Sequence, residues 1–338
     1  MEQNTQNTVK QTENFGEVIG LLKKKNIKFG QSTKEGVTKN YANGSIEVEV
    51  ENQFGTNVIK IDVMQMELKK DGDINKAYKA LQTIHSEYKS IDEHGKEQAD
   101  LIQVFVKLEE NNYYLEGEGE VKEGMKLLAS TNFDKEVYTP IKRVQDKNTQ
   151  HKAQISFGGM ITKIIPNENT GELKVEMVGA TYTGKAIKHR LDVSKELAQG
   201  FRAVYQEGCV TTLHYMPVNA VEVKEVKREI AFGDAPSYNI TNTTRKNLIC
   251  GGDPVNYASD MTQEVVKQML VLRANDLEKV KEDAIKKAQQ GQGQAPAFGA
   301  GVGTGMPTGQ PVVDNGNPFG GGNPFGGGTA PTGNPFGA

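Results

Sequence analysis

The sequence has little cysteine, little net charge and no long apolar run. Only Cys209 and Cys250 occur among 338 residues, and they lack the spacing of a metal site or a disulfide framework. The formal net charge is -3, so contact with nucleic acid would have to come from local basic patches. No stretch approaches the roughly 18 apolar residues that cross a bilayer, and the polar N-terminus lacks the features of a signal peptide. These absences predict a cytoplasmic protein that does not bind membranes.

Enzyme signatures are also absent. The sequence contains no H-E-x-x-H, no paired metal-spaced cysteines and no G-x-S-x-G. Gly179 to Lys185 matches the G-x-x-x-x-G-K of a phosphate-binding loop, but Ala186 stands where a hydroxyl residue should meet magnesium. The residues before it alternate between polar and apolar, whereas the strand before such a loop is continuously apolar. We therefore predict that the protein is not an enzyme and needs neither a cofactor nor a metal.

Residues 154–215 carry the clearest structural pattern. Two alternating segments flank a turn, a basic alternating segment follows, and a helical segment and a returning apolar segment complete the order. Ser194 and Gly208 stand where the helix should begin and end. This order is typical of a small Greek-key barrel of the oligonucleotide/oligosaccharide-binding (OB) kind. We place that barrel at residues 152–230.

A similar order of elements precedes it. Residues 46–50 and 59–63 alternate on either side of a turn and predict a hairpin with one buried face. An amphipathic helix is expected from Ile74 to Ile91, followed by further strands. We predict a first OB-like barrel with a helical insertion at residues 15–145, after a disordered N-terminus at residues 1–14. The expected fold class is α+β: mainly β, with two OB-like Greek-key barrels, a C-terminal helix and a disordered tail.

The last third of the chain has a different amino-acid composition. Residues 231–290 open with a stretch rich in Gly, Pro, Asn and Thr, for which we expect loops and one short strand at Asn247 to Cys250. A long helix should follow, opened by a capping box at Asp260. It either docks on the second barrel or mediates self-association, which leaves a homo-oligomer open.

Residues 291–338 are rich in Gly, Pro and Gln, with Asp314 as their only charged residue, and are predicted to be disordered. Asn-Pro-Phe occurs three times in this tail, and the repetition favours a partner-binding motif over an inert tail. The predicted partner-binding residues are Asn317, Pro318, Phe319, Asn323, Pro324, Phe325, Asn334, Pro335 and Phe336.

Basic residues are interleaved with aromatic residues on the predicted strands and turns. This combination suits a single nucleic-acid strand, because lysine and arginine bind phosphates and aromatic rings stack on bases for about 1–3 kcal/mol each. In the second barrel the predicted nucleic-acid-binding residues are Phe157, Lys163, Tyr182, Lys185, Lys188, His189, Arg190 and Tyr215. In the first barrel they are Lys28, Phe29, Lys34, Lys39 and Tyr41. The competing interpretation makes the tyrosines core residues and the lysines ordinary solvated strand faces.

Tandem small barrels followed by a Gly/Pro/Gln-rich tail with Pro335-Phe336 resemble single-stranded DNA-binding proteins, in a form carried by a phage or mobile element of a bacterium. The resemblance covers residues 15–230 and the tail. It implies sequence-tolerant binding of single-stranded DNA in the bacterial host cytoplasm, and recruitment of replication or recombination proteins by the tail. In that family acidic residues end the tail beside Pro-Phe. Here no acidic cluster precedes Pro335, and Gly337-Ala338 follow, which leaves a different partner open for the repeated Asn-Pro-Phe.

The resulting hypothesis is a non-enzymatic single-stranded DNA-binding protein of phage-type DNA replication or recombination. The alternative is a structural or scaffold protein, such as a virion or assembly component, whose barrels contact other proteins. A nucleotide-dependent enzyme is a third interpretation that depends on Gly179 to Lys185 alone.

Overall fold

Long strands dominate the fold. The computed structural model describes residues 9–34, 37–69, 71–115, 118–130, 139–227 and 237–290. The strands are β1 (Asn14–Lys34), β2 (Val37–Asn52), β3 (Gly55–Met66), β4 (Leu101–Glu110), β5 (Tyr113–Leu115), β6 (Glu120–Lys122), β7 (Met125–Ala129), β8 (Ile141–Arg143), β9 (Lys152–Pro166), β10 (Leu173–Ala180), β11 (Ala186–Val193), β12 (Val210–Lys227) and β13 (Ser237–Gly252). The helices are α1 (Lys76–Glu87), α2 (Ile91–His94), α3 (Lys195–Val204) and α4 (Gln263–Gln290). Within the described ranges, no helix is both long and apolar enough to cross a bilayer.

The strands β1, β2, β3, β7 and β4 close a first barrel. β1 pairs with β2 and β2 with β3, both antiparallel. β3 then pairs in parallel with β7, β7 pairs antiparallel with β4, and β4 returns to β1. The helices α1 and α2 lie in the connection between the third and fourth barrel strands. Closure through a parallel pair of the third and fifth strands is the Greek-key order of an OB barrel.

The strands β9 to β13 repeat this order in a second barrel. β9 pairs with β10 and β10 with β11. β11 is parallel to β13 at Asp192 and Leu248, β13 is antiparallel to β12, and β12 returns to β9. The helix α3 again connects the third and fourth strands. The predicted fold class, mainly β with two OB-like barrels and added helices, is confirmed.

The first strands of the two barrels pair with each other. Residues Asn14–Ile19 of β1 are antiparallel to Lys152–Phe157 of β9, and most of the same segment of β1 also pairs with β4. Gly16 lies so close to β9 that a Cβ atom there would stand 2.7 Å from the carbonyl oxygen of Gln154. A glycine is required because any side chain would push the two strands apart.

A second connection joins the barrels through asparagine side chains. The backbone N–H of Asn219 on β12 donates to Oδ1 of Asn57 on β3 at 3.0 Å. The side-chain amide of Asn219 donates to the carbonyl oxygen of Val58, also at 3.0 Å. Asn57 is completely buried, so these bonds are shielded from water. The boundaries of the two barrels as separate domains stay a prediction.

Alternation puts one face of each strand into a barrel interior. The first barrel encloses mostly aliphatic side chains, among them Val18, Leu22, Ile46, Val48, Ile61, Ile102 and Val104. The second encloses Phe157, Ile161, Val175, Met177, Leu191, Val193, Leu213 and Tyr215. Burial of each such side chain stabilises the fold by about 1.5–3 kcal/mol.

The helix α4 docks on both barrels, which is one of the two arrangements that the sequence left open. It buries Met261, Val266 and Met269, the first just before the helix, against Met160, Val178, Ala180 and Ala186 of the second barrel. Farther along, Arg273 is buried and forms ion pairs with Glu110 (2.6 Å) and Glu123 (2.9 Å) of the first barrel. Self-association through this helix stays a prediction.

The prediction of a loop-rich segment after residue 230 was wrong in part. Residues 237–252 form the long strand β13 rather than one short strand at Asn247 to Cys250. Gly, Pro and Asn have little preference for strands, but β13 forms a long antiparallel hairpin with β12, and this pairing outweighs propensity.

Two other local predictions also differ from the structure. The predicted helix from Ile74 to Ile91 is divided into α1 and α2. It begins later than expected because Oδ1 of Asn75 caps α1 by accepting a hydrogen bond from the backbone of Ala77 at 3.0 Å. Similarly, α4 begins after Thr262, whose hydroxyl accepts from the backbone of Val265, rather than at Asp260.

Candidate nucleic-acid interface

A basic surface lies on the outer face of β9, β10 and β11. Lys163 on β9 stands opposite Glu176 on β10, and Glu176 stands opposite Arg190 on β11. Lys174 and Lys188 lie two residues from Glu176 and Arg190, so they point to the same side. We call Lys163, Lys174, Lys188 and Arg190 the outer basic face. The structure therefore brings together three predicted contact residues and adds Lys174.

One carboxylate lies at the centre of this face. Glu176 is 7% exposed, and its Oε1 accepts a hydrogen bond from Nε of Arg190 at 2.9 Å. Its Oε2 lies 3.5 Å from Nζ of Lys188. The side chain of Arg190 is nevertheless 71% exposed, so the far end of its guanidinium reaches solvent. Two cations around one carboxylate leave this part of the face positive.

The turn between β10 and β11 presents an exposed aromatic ring. The N–H of Gly184 donates to the carbonyl of Thr181 at 3.0 Å, and the N–H of Thr181 donates to the carbonyl of Lys185 at 2.9 Å. Gly184 has a φ of 74°, which glycine adopts without strain. Tyr182 is 84% exposed at the tip of this turn, and Nζ of Lys185 forms an ion pair with Asp276 of α4 at 2.8 Å. The G-x-x-x-x-G-K segment is therefore part of a β-hairpin and not a phosphate-binding loop.

Three predicted contact residues lie inside the second barrel, so their prediction was wrong. Phe157, His189 and Tyr215 are all buried. The ring centroids of Phe157 and His189 are 5.2 Å apart, and those of His189 and Tyr215 are 5.1 Å apart. Burial lowers the pKa of His189 to about 4, because desolvation disfavours the charged imidazolium. The physical reason is alternation, which turns His189 inward between the outward-facing Lys188 and Arg190.

A groove of about 440 Å³ continues the outer basic face toward the β12–β13 hairpin. Its basic lining residues are Lys174, Arg190, Arg245 and Lys246. Three of these were missed by the sequence analysis. Lys174 lies in an alternating segment whose polar residues carry no binding signal of their own, and Arg245 and Lys246 fall in the segment expected to form loops. Their meeting depends on the parallel pairing of β11 with β13, which local patterns do not reveal.

The acidic residues near the groove are largely engaged. Oδ2 of Asp192 accepts a hydrogen bond from the backbone N–H of Asn247 at 3.0 Å. Oε1 of Glu172 binds Nζ of Lys246 at 2.7 Å. Lys174 and Arg245 are exposed, and in the described part of the chain neither has an ion-pair partner within 4.0 Å. The groove is thus suited to an anion.

The predicted contact residues of the first barrel divide between two faces of the β1–β2 hairpin. Gly30 stands opposite Tyr41, and Lys28 and Lys39 lie two residues from them, so Lys28, Lys39 and Tyr41 share one face. Phe29 points to the other face.

The ring of Phe29 contacts Tyr78 and His85 of α1, with centroid distances of 5.8 and 5.5 Å. Phe29 therefore does not join Tyr41 and the lysines. The backbone of Lys34 pairs with that of Val37 near the tip of the hairpin.

On the outer face of the first barrel, lysine side chains form ion pairs with carboxylates, so this face is not predominantly basic. Nζ of Lys96 lies 2.8 Å from Glu49 and 2.5 Å from Glu51, and hydrogen bonds to these carboxylates raise the pKa of Lys96 to about 12. Asp62 is buried beside Lys126 at 4.0 Å, and burial raises its pKa. Phosphate would have to compete with carboxylates here, so this face is a poorer anion site than that of the second barrel.

A serine, a histidine and an aspartate also line up, on the outside of β9 and β12. Oγ of Ser156 lies 2.8 Å from Nδ1 of His214, and Nε2 of His214 lies 3.2 Å from Oδ1 of Asp253. Ser156 is buried within the paired strands, so its hydroxyl is not accessible to a substrate carbonyl. The arrangement connects β9, β12 and the loop after β13 by hydrogen bonds.

The partner-binding residues predicted in the Asn-Pro-Phe repeats lie outside the described residues. They are Asn317, Pro318, Phe319, Asn323, Pro324, Phe325, Asn334, Pro335 and Phe336. Their assignment stays a prediction.

Fold and surface together define a double OB-barrel protein with a basic outer face on its second barrel. The sequence model of the YorF family matches residues 12–290, and the chain belongs to the YorF family.

Solved structures of Thermus aquaticus proteins are similar in outline. The wild-type single-stranded DNA-binding protein of that organism is 12% identical, with a TM-score of 0.41, over 73% of this chain and 95% of that one. A deletion variant of the same protein is 12% identical, with a TM-score of 0.38, over 72% of this chain and 95% of that one. At this similarity neither structure defines the function of this chain. No curated protein sequence matches it significantly.

Proposed function

We propose that this protein binds single-stranded DNA, largely independently of sequence and without catalysing a reaction. The observation that carries the proposal is the outer basic face of the second barrel, continued by the basic groove, with the exposed ring of Tyr182 on the turn of the same β10–β11 hairpin. The cations are suited to successive phosphates, and the ring is suited to a base.

A single strand fits this surface better than a duplex. The bases of a duplex are stacked and paired, so the 84% exposed ring of Tyr182 would find no free base to stack on. A single strand offers both its phosphates and its base faces. Neither the cations nor the ring reads base edges, which accounts for tolerance of sequence.

The β1–β2 hairpin is the proposed second contact region. Lys28, Lys39 and Tyr41 share a face there and repeat the combination of cations with an aromatic ring on a smaller scale. Lys34 belongs to the same proposed region. Lys185 contributes at the Tyr182 turn, where its ion pair with Asp276 is exposed enough to exchange for a phosphate.

The biological role that we propose is phage-type DNA replication or recombination in the cytoplasm of a bacterial host. In this role the Asn-Pro-Phe repeats of the tail would recruit a replication or recombination protein. Deletion of residues 291–338 should leave DNA affinity nearly unchanged and abolish capture of that partner. Unchanged capture would favour an inert tail.

The central test is fluorescence anisotropy with labelled oligonucleotides over a salt series. Wild-type protein should bind single strands at low salt and lose affinity steeply as salt rises. Replacing Lys163, Lys188 and Arg190 together by alanine should reduce the slope of log affinity against log salt by about 2, because each phosphate contact to a single strand contributes about 0.7.

The matched control replaces Lys60, Lys96 and Lys126 on the outside of the first barrel. It removes the same formal charge and should change the slope much less. Equal effects of the two triple variants would show that the binding surface is placed wrongly. No binding at low salt would overturn the proposed function and leave the scaffold interpretation, in which the barrels contact proteins.

A further inference from the structure

We propose that Glu176 is a positioning residue, which orients Arg190 so that the free edge of its guanidinium binds one DNA phosphate. This inference rests on the proposed function and deepens it. Glu176 lies on the surface that would contact DNA, and its charge alone would repel a phosphate. Its role therefore depends on whether the geometry that it imposes outweighs its charge.

The geometry favours orientation. Oε1 of Glu176 accepts from Nε of Arg190 at 2.9 Å, which uses one nitrogen of the guanidinium. The side chain of Arg190 remains 71% exposed, so the two terminal nitrogens can still donate to an outside acceptor. A guanidinium binds a phosphate best through two parallel N–H groups. The hydrogen bond to Nε thus keeps the two terminal nitrogens of Arg190 directed outward. The side chain therefore loses less rotamer entropy when a phosphate binds.

The burial of Glu176 separates this role from that of a competing anion. Glu176 is 7% exposed and lies on β10 between β9 and β11. The side chains of Lys188 and Arg190 pair with this carboxylate, so a phosphate that approaches from solvent meets the exposed guanidinium first. Oε2 also lies 3.5 Å from Nζ of Lys188, which holds a second cation beside the first. Asp276 differs from Glu176 because it lies on a helix surface and pairs with the exposed Lys185.

Charge and geometry predict different orders of affinity for two variants of similar volume. Glu176→Gln and Glu176→Met both remove the negative charge, but only glutamine retains an oxygen that can accept from Nε of Arg190. If Glu176 acted through charge alone, both variants would bind DNA more tightly than wild type and equally well. If it positions Arg190, the methionine variant should bind about three- to tenfold more weakly than the glutamine variant.

The experiment measures the Kd of a labelled single-stranded oligonucleotide for wild type, Glu176→Gln and Glu176→Met, alone and combined with Arg190→Ala. The expected result is a difference between glutamine and methionine that disappears in the Arg190→Ala background. Equal affinities of the two single variants would overturn the proposal, as would a difference that persists without Arg190. Thermal melting must show both variants folded, and Glu176→Ala replaces the methionine variant if that one is not.

The outcomes also separate this inference from the proposed function. If the wild-type protein does not bind the oligonucleotide, the proposed function itself fails. If it binds, and Arg190→Ala weakens binding while the glutamine and methionine variants are equal, the function stands and only the role of Glu176 is refuted.

Discussion

The inner and outer faces of the second barrel come from alternating residues of the same strands but have opposite properties. Inside, Phe157, His189 and Tyr215 form a buried ring cluster without charge. Outside, Lys188 and Arg190 flank His189 in sequence and surround Glu176 in space. A cluster of cations and aromatics in sequence is therefore two separate structures, one that stabilises the barrel and one that is available to a ligand.

The largest effect expected from this comparison is on stability and comes from the inner face. Phe157→Ala should lower the free energy of unfolding by about 3–5 kcal/mol, because it removes a fully buried ring and leaves a cavity. Urea denaturation measures this change. The folded fraction should bind single-stranded DNA as wild type does. A stable variant with weakened DNA binding would mean that Phe157 belongs to the outer surface after all.

A pH-dependent effect should come from His189. Its folded-state pKa of about 4 lies below its ordinary value of 6.5, so between these values the unfolded chain takes up a proton that the folded protein excludes. Stability should fall as pH falls through this window, by at most about 1.4 kcal/mol per pH unit from this group.

Unfolding free energies of wild type and His189→Phe, measured from pH 4 to 7, test this expectation. Phenylalanine is similar in size and suits neighbours such as Phe157, and among the described residues Nε2 of His189 has no hydrogen-bond partner to lose. The variant should be folded at pH 7 and show a shallower dependence on pH. Identical slopes would mean that the imidazole is accessible to protons in the folded state.

The outer face should affect binding and not stability. Tyr182→Ala should weaken the binding of single-stranded DNA by about 1–3 kcal/mol, the value of one stacked base, and change stability by less than about 0.5 kcal/mol. Tyr257, which is 92% exposed in the loop before α4, is the matched control. Anisotropy titrations of both alanine variants compare them, and equal affinities would remove Tyr182 from the interface.

The smallest effect is expected in the first barrel. Replacing Lys28 and Lys39 together by alanine should lower the salt slope by at most about 1.4, since two phosphate contacts contribute about 0.7 each. The same salt series measures it, with the Lys60 and Lys126 double variant as the control for lost charge. A larger loss than that of the second-barrel variants would reverse the assignment of the main binding surface.

Alternation in the sequence was sufficient to predict β9, β10, β11 and the helix between the third and fourth strands, because these elements are set by local periodicity. The same alternation, applied position by position, would have placed His189 inside, between Lys188 and Arg190. The groove could not be predicted, since Lys174 and Arg245 meet only through the pairing of β11 with β13. β13 itself contains several Asn residues, which disfavour strands, and its strand conformation depends on β12 as a partner.

The pairing of β1 with both β4 and β9 affects how the protein unfolds. Residues 16–19 are hydrogen-bonded to β4 on one edge and to β9 on the other. The first barrel cannot release this segment without also freeing an edge of the second, so local opening of one barrel is resisted by the other. The amide protons of this segment should exchange with solvent among the slowest in the molecule. Their exchange should require both barrels to open in a single cooperative event.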